Sequence, residues 1–150
     1  MITLDKVKKE NELKKAYLRS YQKHIRRIKR IESDLEEIRS MKQYPSMNND
    51  GMPHASSNSD LSGYAAAIDS KERELISEKY SRIKAYKEIT KCIELLQDEN
   101  EKDVLHYRYI KALEWWEIAE KMSYTERWVH SIHGKALAHF QLPKEFIEVQ

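Results

Sequence analysis

From Leu4 to Lys42 the chain runs for about 39 residues without a glycine or a proline. So long a stretch of Lys, Glu, Arg and Leu with no breaker reads as one helix. Its apolar side chains fall at Leu13, Tyr17, Tyr21, Ile25, Ile28, Ile31, Leu35, Ile38 and Met41, always three or four apart. That narrow seam predicts a helix of roughly 60 Å, at 1.5 Å per residue, packed on another helix. Alone it would bury too little to hold together. Its partner is either the next helix of the same chain or a second copy.

The pattern breaks from Tyr44, where Pro45, Gly51, Pro53 and scattered Asn and Ser cannot sustain a helix. A flexible loop is expected over 44–60, longer than packing alone requires. Ser59 or Asp60 then suits the N-cap of a second long helix reaching about Gln97. Its expected seam is Tyr64, Ile68, Leu75, Ile76, Tyr80, Ile83, Tyr86, Ile89, Ile93 and Leu96. Two seams of similar length across one loop predict an antiparallel hairpin over 1–97. Any apolar edge left over could pair with a second hairpin.

Charge is distributed unevenly. Net charge is only +2, with 27 Lys and Arg against 25 Asp and Glu. Residues 6–30, however, hold eleven Lys and Arg against two Glu, while 99–142 hold six against seven Asp and Glu. Cys92 is the single cysteine, which excludes an internal disulfide. The first ten residues lack the apolar stretch of a signal peptide, and no run is long enough for a membrane span. A soluble protein of the cytoplasm is expected.

Residues 98–142 carry three short helical runs. Val104, Leu105 and Ile110 mark the apolar face of the first. Trp116, Ile118, Ala119 and Met122 mark the second. Val129, Ile132, Ala136, Leu137 and Phe140 mark the third, over 125–140. Asp98, with Glu101 three residues on, is placed to open the first run as a capping box. Only Ser123 and Tyr124 separate the second and third runs, and Thr125 offers a hydroxyl cap. Two helices joined so tightly cross steeply, as in a helix-turn-helix. After the last of these runs, Pro143 stops its continuation. The tail 143–150, with Phe146, Ile147 and Val149, packs back on the core or meets a partner.

Arg108-Tyr109, Glu117-Ile118-Ala119 and Thr125 through Gly134-Lys135-Ala136-Leu137 resemble the fourth region of bacterial primary sigma factors. The resemblance implies an all-α, three-helix helix-turn-helix domain whose last helix enters a DNA major groove. Departing from that family, the last helix is poor in Arg and Lys. A second resemblance spans more of the chain. Gly51-Met52-Pro53-His54 and Ser59-Asp60-Leu61-Ser62-Gly63 look like the connecting segment of small phage late-transcription regulators, the ArpU-like and RinA-like proteins of Gram-positive hosts. Membership would put the protein in the cytoplasm of a bacterial host cell.

Base edges meet residues from the first two turns of a groove-bound helix. Val129 and Ile132 point inward on this reading, which leaves Glu126, Arg127, His130, Ser131 and also His133 outward. Arg127 could fork onto guanine, Glu126 accept from cytosine, and Ser131 serve either. The sigma-like resemblance puts Glu126, Arg127, His130 and Ser131 in the DNA-reading turn. Lys121, Thr125 and Lys135 suit phosphates, as do Lys23, Arg26, Arg27 and Arg30 on the basic arm. Trp128 is open between a core plug and an exposed apolar contact. His106, His130, His133 and His139 lack a ligand set at metal spacing. With no glycine-rich phosphate loop or nucleophile signature, no enzyme, cofactor or metal is expected. The expected partner is double-stranded DNA, with RNA polymerase as a further partner and a homodimer as the assembly. Two other readings stand beside this one. The first is a protein-interaction module using Trp115, Tyr124 and Trp128. The second is a structural coiled coil with the C-terminal bundle as its cap.

Overall fold

The computed structural model describes residues 3–41 and 57–148, with backbone alone at 57–60 and 147–148. Every element among them is helical: α1 (Leu4–Met41), α2 (Ser57–Glu94), α3 (Glu99–Leu105), α4 (Trp115–Met122), α5 (Glu126–His139) and α6 (Lys144–Glu148). A π-helical turn, His106–Ile110, continues α3. Of the loop expected over 44–60, residues 44–56 lie outside the described residues. Ser57 already opens α2, two residues before the caps proposed from sequence, and α2 stops at Glu94. The chain divides into two compact units, one of 1–23 with 83–150 and one of 24–82.

In the second unit α1 and α2 run antiparallel. His24 meets Glu78 at 2.5 Å, Asp34 meets Lys71 at 3.2 Å and Arg39 meets Glu72 at 3.1 Å. On α1 the middle of the seam is as read, with Ile28, Ile31 and Leu35 buried, but the residues expected at its two ends, Leu13 and Met41, are exposed because no neighbour covers them there among the described residues. On α2 it is not. Ile76 and Tyr80 are 69% and 72% exposed, and Ile83 and Tyr86 further along the same helix are exposed too. The inward line here is Tyr64, Ile68, Lys71, Leu75 and Glu78. Lys71 and Glu78 stand where an apolar seam would have shown itself, and the ion pair of Lys71 with Asp34 and the contacts of Glu78 with His24 and Arg27 satisfy them there. The apolar residues of α2 therefore form two stripes, which the sequence reading merged into one.

In the first unit the same two helices pair through Tyr17 and Cys92, with oxygen and sulfur 3.9 Å apart, and through the rings of Tyr21 and Tyr86. Here α1 buries a second face, because the short helices pack on it as well. Leu18, absent from the expected seam, is fully buried. Lys14 and Gln22, one turn before and after it, reach backbone carbonyls. Lys14 Nζ donates to Leu137 O at 2.7 Å, and Gln22 Nε2 to Tyr109 O and Ile110 O at 3.1 Å each. Those carbonyls lie at ends of helical turns, where the ladder leaves acceptors unpaired. Phe146 returns to Tyr17, ring centroids 5.2 Å apart, so this part of the tail packs back on the core, while the Ile147 side chain and Val149 lie outside the described residues. Among the described residues no helix is long and apolar enough to cross a membrane.

Candidate nucleic-acid interface

Three local devices set the C-terminal helices in place. Asp98 caps α3 by accepting from Glu101 N at 3.1 Å. The expected reciprocal bond is missing, because the buried Glu101 carboxylate turns to His139 instead, at 2.5 Å. The full capping box lies at α4: Glu114 accepts from the backbone of Glu117, and its own N–H donates to Glu117 Oε1 at 3.1 Å. Thr125 caps α5, accepting from Trp128 N at 3.1 Å.

Between α4 and α5 the chain turns on Ser123, whose φ of 57° and ψ of 41° are left-handed. Ser123 N bonds Glu120 O at 3.3 Å and Tyr124 N bonds Ala119 O at 3.0 Å. This is the Schellman ending, in which a left-handed residue lets two following N–H groups satisfy the last carbonyls. The turn spans Ser123 and Tyr124, as the sequence indicated.

Beneath the turn, Val104, Ile118, Ala119, Val129 and Ile132 form one buried cluster. Trp116, read as part of it, is 58% exposed, and the half-buried Trp115 takes its place. The choice between adjacent tryptophans at a helix start depends on its phase, which the capping box at Glu114 sets. Trp115 lies under the Arg108 guanidinium at 4.4 Å, with His130 and His133 at 4.3 and 4.8 Å on centroid distances.

His133, expected to face outward, is only 8% exposed. Its Nε2 lies 2.8 Å from the Tyr109 hydroxyl. Burial, then the positive charges of Lys15, His130, Arg108 and Arg19, push its pKa down to about 4. The ring is therefore neutral near pH 7, and Nε2 shares a hydrogen bond with the Tyr109 hydroxyl. Burial raises the pKa of Tyr109, which keeps that hydroxyl protonated.

With Val129, Ile132, His133, Ala136 and Leu137 buried, α5 turns its other side outward. All four residues expected to read bases, Glu126, Arg127, His130 and Ser131, are exposed, as are Lys121, Thr125 and Lys135. At 100° per residue, Arg127, Ser131, Gly134 and Ala138 form the outermost line, opposite Val129 and Ala136. His130 lies along one margin, against Trp115. Trp128 lies along the other and is 45% exposed, with the Lys135 ammonium 5.1 Å above its ring. Trp128 is therefore no core plug. On α1, Lys23, Arg26, Arg27 and Arg30 are exposed at spacings that place them on one stripe. Of these, Arg27 also lies 3.9 Å from Glu78.

Two helices crossing at a two-residue turn, the second with a closed inner face and a polar outer one, define a helix-turn-helix domain. Residues 98–141 match the family model described as Sigma-70, region 4. This part of the chain is thus a sigma-region-4-like helix-turn-helix, of a kind that binds DNA. Comparison with curated proteins and with solved structures found no match.

Proposed function

We propose that this protein is a sequence-specific, DNA-binding transcriptional regulator of phage type and not an enzyme. In this reading α5 enters the major groove. Glu126, Arg127, His130 and Ser131 read base edges, while Lys121, Thr125 and Lys135 hold phosphates. Lys23, Arg26, Arg27 and Arg30 add phosphate contacts from the helical hairpin, which also carries dimerisation. The observation that supports it most is the outer side of α5. Within a domain that matches a DNA-binding family, it leaves Arg127 and its neighbours free of core duties.

Binding to a library of duplexes at several salt concentrations tests this. Arg127→Ala should relax sequence choice at one position. A Lys23/Arg26/Arg27 triple alanine should weaken binding to every sequence and flatten the salt dependence. No retention of DNA even at about 50 mM salt would overturn the proposal, since phosphate contacts are strongest there.

One observation favours a second reading, in which the domain docks on RNA polymerase. Trp116, with its 58% exposure, sits on α4 away from the buried cluster. An exposed tryptophan off the DNA-reading helix suits a protein contact. Trp116→Ala should then lose co-purification with polymerase while DNA affinity holds.

A further inference from the structure

Trp128 is exposed on the helix proposed to read bases, yet the DNA-reading proposal gives it no role. The core beneath α5 is complete without it, since Val129, Ile132, Ala136 and Leu137 already close that side. The ring is also held in place. Tyr124 meets it edge-on, with centroids 6.5 Å apart at 81°, and Lys135 sits over its face. Tyr124 is itself anchored, its hydroxyl accepting from Asn100 Nδ2 at 3.2 Å. A tryptophan kept outside the core and braced on two sides is presented, and binding through it would cost little side-chain freedom.

Its position in the first turn of α5 limits what it can meet. A groove-bound helix offers that turn to base edges. Indole has one N–H donor and is otherwise apolar. The major-groove edge of a base pair offers donors, acceptors and one apolar group, the C5-methyl of thymine. The neighbouring outer line, Arg127, Ser131, Gly134 and Ala138, holds no large apolar side chain that could build a protein-binding centre around Trp128. Its small residues let the helix backbone come close to whatever it binds. Nothing lies within 4 Å of a Cβ built on Gly134. Arg127 on one side and the Lys135 ammonium over the ring outweigh the single carboxylate of Glu126 in the same turn, so the charge around the ring does not repel a polyanion.

We infer that Trp128 reads thymine by packing its exposed indole on the C5-methyl group in the major groove, which would make it a specificity-determining residue. The inference rests on the DNA-reading function proposed above. Apolar readout would also fit a recognition helix so poor in Arg and Lys.

The test starts from random duplexes enriched on the wild-type protein. In an enriched duplex each thymine is replaced singly by uracil, which deletes only the methyl group. Wild-type binding should fall roughly fourfold at one or two of these positions, the scale of one buried methyl. Trp128→Ala should bind the thymine and uracil forms equally, and Trp128→Phe should keep part of the difference. Both variants should melt as the wild type does, because the side chain lies outside the core. Indifference of the wild type to every methyl, or an unchanged preference in Trp128→Ala, would overturn the inference and leave the DNA-reading function standing. An unchanged preference together with loss of RNA polymerase co-sedimentation would also overturn it, assigning Trp128 to a protein partner. Failure to enrich any duplex would overturn the DNA-reading function, and this inference with it.

Discussion

The residues that carried the sigma-like resemblance are mostly ones that hold the domain together. Arg108 donates to Leu113 O at 2.9 Å and covers Trp115; Tyr109 bonds His133; Glu117 completes the α4 cap; Ile118 and Ala119 are buried. Such a motif identifies a fold, whereas the DNA choice proposed for this domain would rest on exposed side chains of α5 that packing does not fix. That is why the core was legible in sequence and the DNA-contacting roles remain proposals. His133 shows the limit of periodicity. It sits beside Ile132 at the margin of the apolar stripe, and only its partner Tyr109 explains why it turns in. Its lowered pKa has a consequence for stability. The unfolded chain takes up this proton near pH 6.5 and the folded one near pH 4, so between those values the unfolded state binds more protons. The contribution of neutral His133 is intact above about pH 6.5 and is lost as pH falls toward 4, to a limit of roughly 3 kcal/mol. His133→Gln keeps an acceptor for Tyr109 and removes the titration. Its melting temperature should drop less than that of the wild type between pH 7 and pH 4.5, and an equal drop would refute the assignment.

At the scale of elements, sequence located α1 to α5, because breakers, caps and periodicity are local signals, but it left α6 (Lys144–Glu148) as tail, since five residues are too few to show a period. It missed the second face of α1, because Lys14 and Gln22 look like solvated residues until the carbonyls they reach are known. Lys14 is buried and donates to Leu137 O near the C-terminal end of α5, with Glu10 at 3.7 Å as its charge partner. Lys14→Met should fill the space and leave that carbonyl unpaired, costing about 1–3 kcal/mol in urea unfolding. Two substitutions should act the other way. Ser123 holds a left-handed conformation that glycine adopts freely, so Ser123→Gly should stabilise the α4–α5 turn by about 1 kcal/mol. Gly134 lies in the body of α5 with open space around it, so Gly134→Ala should add about 0.5–1 kcal/mol. Unchanged or lower denaturation midpoints would show that the caps and propensities of this domain do not limit its stability.

For the whole molecule the open matter is assembly, and the hairpin frames it. Sequence showed two apolar seams and allowed pairing within the chain or between chains. The helices do pair within the chain, in each unit, yet α2 keeps a stripe outside. Ile76 and Tyr80 are spaced one turn apart, and Ile83 follows three residues later on the same helix, all exposed. Isolated exposed apolar residues are ordinary, but a row at helical spacing on a long charged helix is, among the described residues, a seam without a partner. A homodimer of the kind proposed would cover it. Dimeric readers gain from doing so, because two linked half-sites bind far more tightly than one. The double substitution Ile76→Lys with Tyr80→Lys separates the possibilities. Since these side chains add little to the folded monomer, thermal stability at low protein concentration should hold within about 0.5 kcal/mol. If the stripe joins two copies, the sedimentation mass should halve and DNA affinity should fall, most on duplexes with two half-sites. A wild type that sediments as a monomer at every concentration would remove dimerisation from the proposal while leaving the recognition helix its task.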